Sequence, residues 1–368
     1  MRTAIVSDLH LGLGSGADLI RRDAHRKRLL ERLDGVDRLV LLGDVLELRD
    51  RPLAEVLAAA APVMRALGEA LGDGELVIVP GNHDHHLIEP WLERRAIQGA
   101  PPMELEQTGE PTGLAIETLA SHAASVRVSF AYPGLWVRDD VYATHGHYLD
   151  RHLTVPTIER LGVAMVERVL GIAPGGPDPL DPAQEPELAD IDEYERVQTP
   201  VYALLFGLAQ ATAGENRGGA NPSARIWQML GGGSSRTARV RSWLLGAVAV
   251  PGAVGVANRL GLGPVHSDLS GGAIARAGFT AMAEVVKDLA IDAEHVVFGH
   301  THRRGTPPVQ QETNLWNSGS WVHAPGLLGR TSAQSPYWPG TLCVIEDEGP
   351  PQLHHLLDEL SREDLAAE

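Results

Sequence analysis

Five short apolar runs in this chain each end on a tight cluster of aspartate, asparagine and histidine. Residues 2–7 lead into Asp8-Leu9-His10, and Arg38–Leu42 into Gly43-Asp44. Leu76–Val79 leads into Pro80-Gly81-Asn82-His83-Asp84. Val141–Thr144 leads into His145-Gly146-His147, and Val296–Phe298 into Gly299-His300-Thr301-His302. Apolar runs this short read as buried strands. Charged, periodic residues 18–33 separate the first two, and the Ala- and Leu-rich stretch 53–71 separates the second from the third. This βαβαβ alternation predicts an α/β fold with parallel strands and right-handed crossovers. The polar clusters then fall at the carboxyl ends of strands, where α/β proteins build their sites.

Further strands are expected at Val126–Tyr132, Leu135–Arg138, Asn314–Trp316, Trp321–His323, Thr341–Glu346 and Gln352–Leu356, with a loop over 100–113. Residues 151–290 have a different character. They include a Pro/Gly-rich linker (Gly171–Pro186), an acidic stretch (Asp190–Glu195) and two segments without charge, Val197–Gly214 and Ser242–Asn258. The expected organisation is a core from 1–150 and 291–360, interrupted by a mostly helical cap over 151–290. Both uncharged segments fall slightly short of the ~20 residues a membrane-spanning helix needs. The plain reading is the buried interior of the cap. The alternatives are a shelter for a lipid tail, a peripheral contact with a membrane surface, or a homo-oligomer interface.

The balance of 31 Lys+Arg against 48 Asp+Glu leaves a formal charge of −17, which repels a phosphate backbone and disfavours nucleic acid as a partner. The single cysteine, Cys343, cannot form an intrachain disulfide, as suits a reducing compartment, and its apolar neighbours make it a buried strand residue. Met1 to Val6 enters a strand at once, with no apolar signal region before Asp8. The expected location is cytoplasmic, with membrane-peripheral contact through the cap as the variant of that reading.

Each polar cluster has its own chemistry. Residues i and i+2 of an extended segment point the same way, so Asp8 and His10 can grip one ion. Gly43 allows a tight turn, and the two oxygens of Asp44 can bridge two metals. Asn82 offers a neutral amide oxygen; His83 can reach a substrate oxygen, with Asp84 to fix its tautomer. Paired imidazoles in His145-Gly146-His147 and His300-Thr301-His302 can reach neighbouring metals. Taken singly, each cluster has an ordinary structural reading as a cap or a turn. His85 and His86 read as solvent-facing or supporting residues, and Arg303 and Arg304 as surface residues or phosphate contacts.

In this order, the motifs Asp-x-His, Gly-Asp, Gly-Asn-His-Asp, His-Gly-His and Gly-His-x-His resemble the signature of the calcineurin-like metallophosphoesterases over residues 5–147 and 296–323. Asn317-Ser318-Gly319-Ser320 resembles the turn that follows the last motif there. The resemblance implies a four-layer α-β-β-α sandwich with a helical cap insertion. It also implies two divalent ions, of Mn, Fe, Zn or Co. Asp8, His10 and His302 would hold the first, Asn82, His145 and His300 the second, and Asp44 would bridge them. His83 would be the general acid or phosphate-contacting residue, with Asp84 behind it. Glu47 departs from the family, which often carries Asp or Arg three residues after the Gly-Asp aspartate, and a direct role for it is in doubt.

The implied activity is hydrolysis of a phosphoester, as phosphodiesterase or phosphatase, by a metal-activated water. One alternative is a pyrophosphohydrolase whose apolar cap holds a lipid-linked or nucleotide-sugar substrate; relatives of that kind tend to carry Arg where this chain has His83. The other is a non-catalytic metal-binding scaffold.

Overall fold

The computed structural model describes residues 1–172, 189–212, 258–259, 262–263, 265, 271–307, 312–328 and 334–366. Most of the linker 171–186 and the uncharged segment 242–258, apart from Asn258, lie outside the described residues. The strands are β1 (Thr3–Val6), β2 (Arg38–Leu42), β3 (Glu75–Val79), β4 (Glu106–Gly109), β5 (Arg127–Arg138), β6 (Val141–Thr144), β7 (His295–Phe298), β8 (Arg304–Gly305), β9 (Asn314–Ser318), β10 (Thr341–Ile345) and β11 (Gln352–His355). The helices used below are α1 (Asp23–Leu30), α2 (Leu53–Leu71), α3 (Glu89–Gln98), α4 (Leu114–Ser121), α5 (Ile158–Leu170), α6 (Ile191–Thr212) and α7 (Gly271–Asp288).

The fold is mixed α/β with a large central sheet. Hydrogen bonding runs through the strands in the order β11-β10-β1-β2-β3-β5-β6-β7-β9-β8, with β4 beside β5. β1, β2, β3 and the start of β5 are parallel, and so are β6, β7 and β9. The two strands expected at 126–132 and 135–138 are one continuous strand. Its first residues, Arg127–Phe130, pair with β3, and Gly134–Arg138 pair antiparallel with β6.

That handover decides where the polar clusters go. On a flat sheet, β6 and β7 would end at the edge opposite to β1, β2 and β3, because β6 runs against β5. Yet His145 after β6 lies 3.4 Å from Asp44 after β2. The sheet therefore turns back on itself along β5. One apolar core fills the space between the two layers: Ile5, Val40, Leu42, Val77 and Val79 meet Leu135, Val137, Val141, Ala143 and Val297. The alternate residues Ala4, Val6, Leu39, Leu41, Leu76 and Ile78 are also fully buried, on the other face of the first layer. There α2 packs on β3 and α4. Its buried stripe Val56, Ala60, Val63, Met64, Leu67 and Leu71 follows the 3.6-residue period.

The chain divides into two compact units. The first comprises Met1–Gly146, Leu205–Gly219 and Asp292–Glu368; the second comprises His147–Leu204 and Ala220–Ile291. In the second unit α5 and α6 approach closely, since a Cβ on Gly162 would stand 2.7 Å from Val201. Arg151 is buried there between Glu167 and Glu193, at 2.8 and 2.6 Å, and Tyr148 stacks on Tyr194. Among the described residues no helix is long and apolar enough to cross a membrane.

Candidate metal centre

Seven side chains from five strand ends of the first unit converge. Asp8 and His10 follow β1, Asp44 follows β2, Asn82 follows β3, His145 follows β6, and His300 and His302 follow β7. Two groups form. Asp8, His10, Asp44 and His302 bring ligand-type atoms within 4.8 Å of one another, and so do Asp44, His145 and His300. The first contains His302 Nε2 at 3.2 Å from Asp8 Oδ1, and His10 Nε2 at 3.6 Å from Asp44 Oδ2. In the second, His145 Nε2 is 3.4 Å from Asp44 Oδ1, and the Asn82 amide oxygen lies 3.2 Å from that nitrogen and 3.0 Å from His300 Nδ1. Asp44 alone belongs to both groups.

The close approach rests on backbone that few side chains tolerate. Asp8, His10, Asp44, His300 and His302 all have φ between 45° and 63°, in the left-handed region. Five such residues at one place mark a functional constraint. Gly43, at φ 80°, leaves room for an imidazole: a Cβ there would stand 2.2 Å from the His145 ring. A Cβ on Gly81 would stand 2.4 Å from Asp44 Oδ1. The last loop is pinned by Asn317, whose amide donates to Gly299 O and Thr301 Oγ1, and by Ser318, which donates to Phe298 O.

The donor set fits divalent ions. His145 Nδ1 faces the Leu42 carbonyl at 3.0 Å and His10 Nδ1 faces Glu47 at 3.0 Å, so each ring donates there and turns its Nε2 lone pair inward. Those lone pairs meet carboxylate and amide oxygens, and His10 Nε2 meets His302 Nε2 at 3.0 Å. The buried Asp8 Oδ1 accepts no hydrogen bond. Asn82 could satisfy its neighbours by turning its NH2 inward and its oxygen to Arg49; a cation gives the oxygen-inward orientation its reason. The field favours positive charge. Burial works against it, yet Asp44 and Asp8 push the His145 ring up to about 10, and Glu47 and Asp44 push His10 up to about 9. Burial also opposes ionisation of Asp44, but His145 and His83 hold it well below the usual carboxylate range. Metal ions would take the place of those protons.

Glu47 is the residue whose part the sequence left in doubt. It is 1% exposed. Its carboxylate accepts from His10 Nδ1 at 3.0 Å and stands 2.9 and 3.0 Å from His83 Nδ1, so it orients both rings. Asp84 corrects the expected pairing. Its Oδ2 accepts from Val45 N and Leu46 N at 2.7 and 3.1 Å, and its Oδ1 from Gly81 N at 2.7 Å. It ties the loop after β2 to the loop after β3, and the His83 ring turns to Glu47 instead. The peptide N–H of His83 donates to Asp44 Oδ1 at 2.8 Å.

Arg49, which the sequence did not single out, is buried and donates to the Asn82 carbonyl at 2.6 Å. His85 is buried and His86 half-buried; both face Glu89, at 3.7 and 2.7 Å, and His86 stacks on Phe206. Arg304 is not a surface residue: it is 9% exposed and held by Asp358 through two bonds of 2.6 and 3.2 Å. Arg303 is half-buried near Tyr337. His147 belongs to the second unit, edge-on to Tyr148 and Tyr202.

Residues 1–179 match the family described as calcineurin-like phosphoesterase. No curated protein matches the chain. Among solved structures, a dimetal phosphatase from Danio rerio is 11% identical, the match covering 96% of this chain and 98% of that one with a TM-score of 0.36. A likeness that loose adds nothing to the reading of the site.

Proposed function

We propose that this chain, whose residues 1–179 match the calcineurin-like phosphoesterase family, is a metal-dependent phosphoester hydrolase that uses two divalent ions and takes a phosphomonoester or phosphodiester in this centre. The observation that carries the reading is Asp44, one carboxylate shared by both ligand groups. Asp8, His10 and His302 would hold one ion, and Asn82, His145 and His300 the other. Ions bound there supply Lewis acidity toward the phosphoryl oxygens and a water acidic enough to attack near neutral pH. The mixed imidazole, carboxylate and amide donors suit Mn, Fe, Zn or Co.

The protein's own part is positioning and proton supply. Glu47 fixes the His83 ring at Nδ1, and His83 would be the group that passes a proton to the leaving oxygen. The hydrogen bond from the His83 peptide N–H to Asp44 Oδ1 holds that residue beside the shared carboxylate. The acidic chain, at −17, disfavours a polynucleotide substrate.

The test is hydrolysis of bis-p-nitrophenyl phosphate and p-nitrophenyl phosphate by metal-stripped protein given Mn²⁺, Zn²⁺, Co²⁺ or Mg²⁺ in turn. Cleavage that requires metal and vanishes in Asp44→Ala is expected, and the diester-to-monoester ratio directs the search for the substrate. Full cleavage by Asp44→Ala, or cleavage independent of metal, sinks the reading.

A further inference from the structure

A second cluster of metal-ligating side chains stands at the opposite ends of two of the strands that feed the centre. Asp140 immediately precedes β6, and Glu294-His295 opens β7. Their ligand-type atoms lie within 4.8 Å of one another. β7 spans four residues, so this cluster is about 13 Å or more from the loop that carries His300 and His302.

His295 is only 6% exposed, and its ring has an ion-pair contact with Glu294 but no hydrogen bond. Its Nδ1 is buried without a hydrogen bond, and its Nε2 stands 3.8 Å from Glu294 Oε1, outside hydrogen-bonding reach. On the neighbouring strand β9, the Trp316 ring meets the His295 ring edge-on at 6.0 Å, and the Trp316 Nε1 is also buried without an acceptor. Buried ring nitrogens rarely stay unsatisfied: the Trp316 N–H needs an acceptor such as an ordered water, whereas a His295 nitrogen beside two carboxylates can take a cation.

The carboxylates have the capacity. Asp140 accepts from Arg138 Nε at 2.5 Å and Nη2 at 2.8 Å, which uses one lone pair on each oxygen and leaves one. Arg138 is itself fixed by the Glu346 and Gly349 carbonyls. The backbone is set as well: His295 N donates to Asp140 O at 2.9 Å and Asn314 N donates to Glu294 O at 2.8 Å.

We propose that Asp140, Glu294 and His295 form a divalent-cation site separate from the hydrolytic centre. One imidazole nitrogen and two carboxylate oxygens, completed by water, suit Zn²⁺. The ion would staple the start of β6 to the start of β7. This site does not depend on the hydrolytic reading.

The experiment is equilibrium dialysis of the metal-stripped full chain against Zn²⁺, with bound metal per chain counted in wild type, His295→Gln and Glu294→Gln. One equivalent should be missing in His295→Gln. In Glu294→Gln that same equivalent should weaken by about tenfold or more while the others keep their affinity. The Glu294 side chain is 66% exposed, so its substitution spares the fold and decides the matter even where His295→Gln fails to fold. Wild-type metal content and affinity in Glu294→Gln would overturn the proposal.

Discussion

Glu47 and His83 are joined by a carboxylate-to-imidazole contact of 2.9 Å, buried at the carboxylate and partly open at the ring. The same carboxylate also accepts from His10, so one residue aims both a candidate ligand and the candidate proton donor. Removing its charge while keeping its shape should loosen both. Glu47→Gln is expected to lower kcat by roughly 10–100-fold, the usual effect of losing a supporting partner behind a ligand or acid. Steady-state kinetics with a metal count in the same samples checks this. Unchanged kcat would separate Glu47 from the chemistry.

His83→Ala and Asp84→Ala should part company. His83→Ala is expected to lose turnover while keeping metal content near normal. Asp84→Ala strips acceptors from three peptide N–H groups, those of Val45, Leu46 and Gly81, in a fully buried place. Each orphaned donor costs about 1–3 kcal/mol, so the expected effect is a loss of several kcal/mol in urea unfolding. If Asp84→Ala unfolds like wild type and fails only in turnover, the clamp role is wrong.

If the left-handed backbone at the candidate ligands stores strain, bound ions should offset it. His302, at φ 56° and 24% side-chain exposure, is the cleanest place to see it. His302→Asn puts in a residue that adopts this conformation more readily than histidine does and removes the imidazole. The metal-stripped protein should gain about 1 kcal/mol, and the metal-loaded protein should lose the advantage. Paired urea titrations with and without chelator give the answer. Equal effects in both states would mean that the strain is not metal-compensated.

Glu89 carries a pH signature. Burial alone would raise its pKa, but its contacts with His85 and His86 draw it down to about 2. Because the folded value lies below the unfolded one, the contribution is fully present above the ordinary glutamate range and is lost as pH falls toward 2. Glu89→Gln should therefore cost on the order of 2 kcal/mol at pH 5 and nothing near pH 2. A wild-type minus variant difference that stays flat across that range would contradict the assignment.

The strand ends were legible because an apolar run that stops on Asp, Asn or His has few other meanings, and the order of the clusters carried the rest. What the chain alone could not display was pairing across space. Glu47 reads as one more polar residue after a strand until His83, 36 positions away, turns to meet it. Asp84 misleads for the opposite reason: it is the sequence neighbour of His83, but consecutive side chains in a turn diverge, and the backbone N–H groups of another loop claim it. The break expected inside β5 falls at its Pro-Gly pair, 133–134. There the strand changes partner from β3 to β6 without ending. Arg304 looked like a surface cation because its partner Asp358 lies 54 positions on.

The reversal along β5 also sets a timetable. His10 and His302 face each other across 292 positions of chain. A chain emerging from synthesis can fold β1, β2 and β3 and display Asp8, His10 and Asp44 long before His300 exists. Contacts of such sequence separation close late and slowly. If these residues hold the ions as proposed, tight capture of metal would come late in folding, and a molecule holding its ions would be one in which residues 8–44 and 300–302 have met.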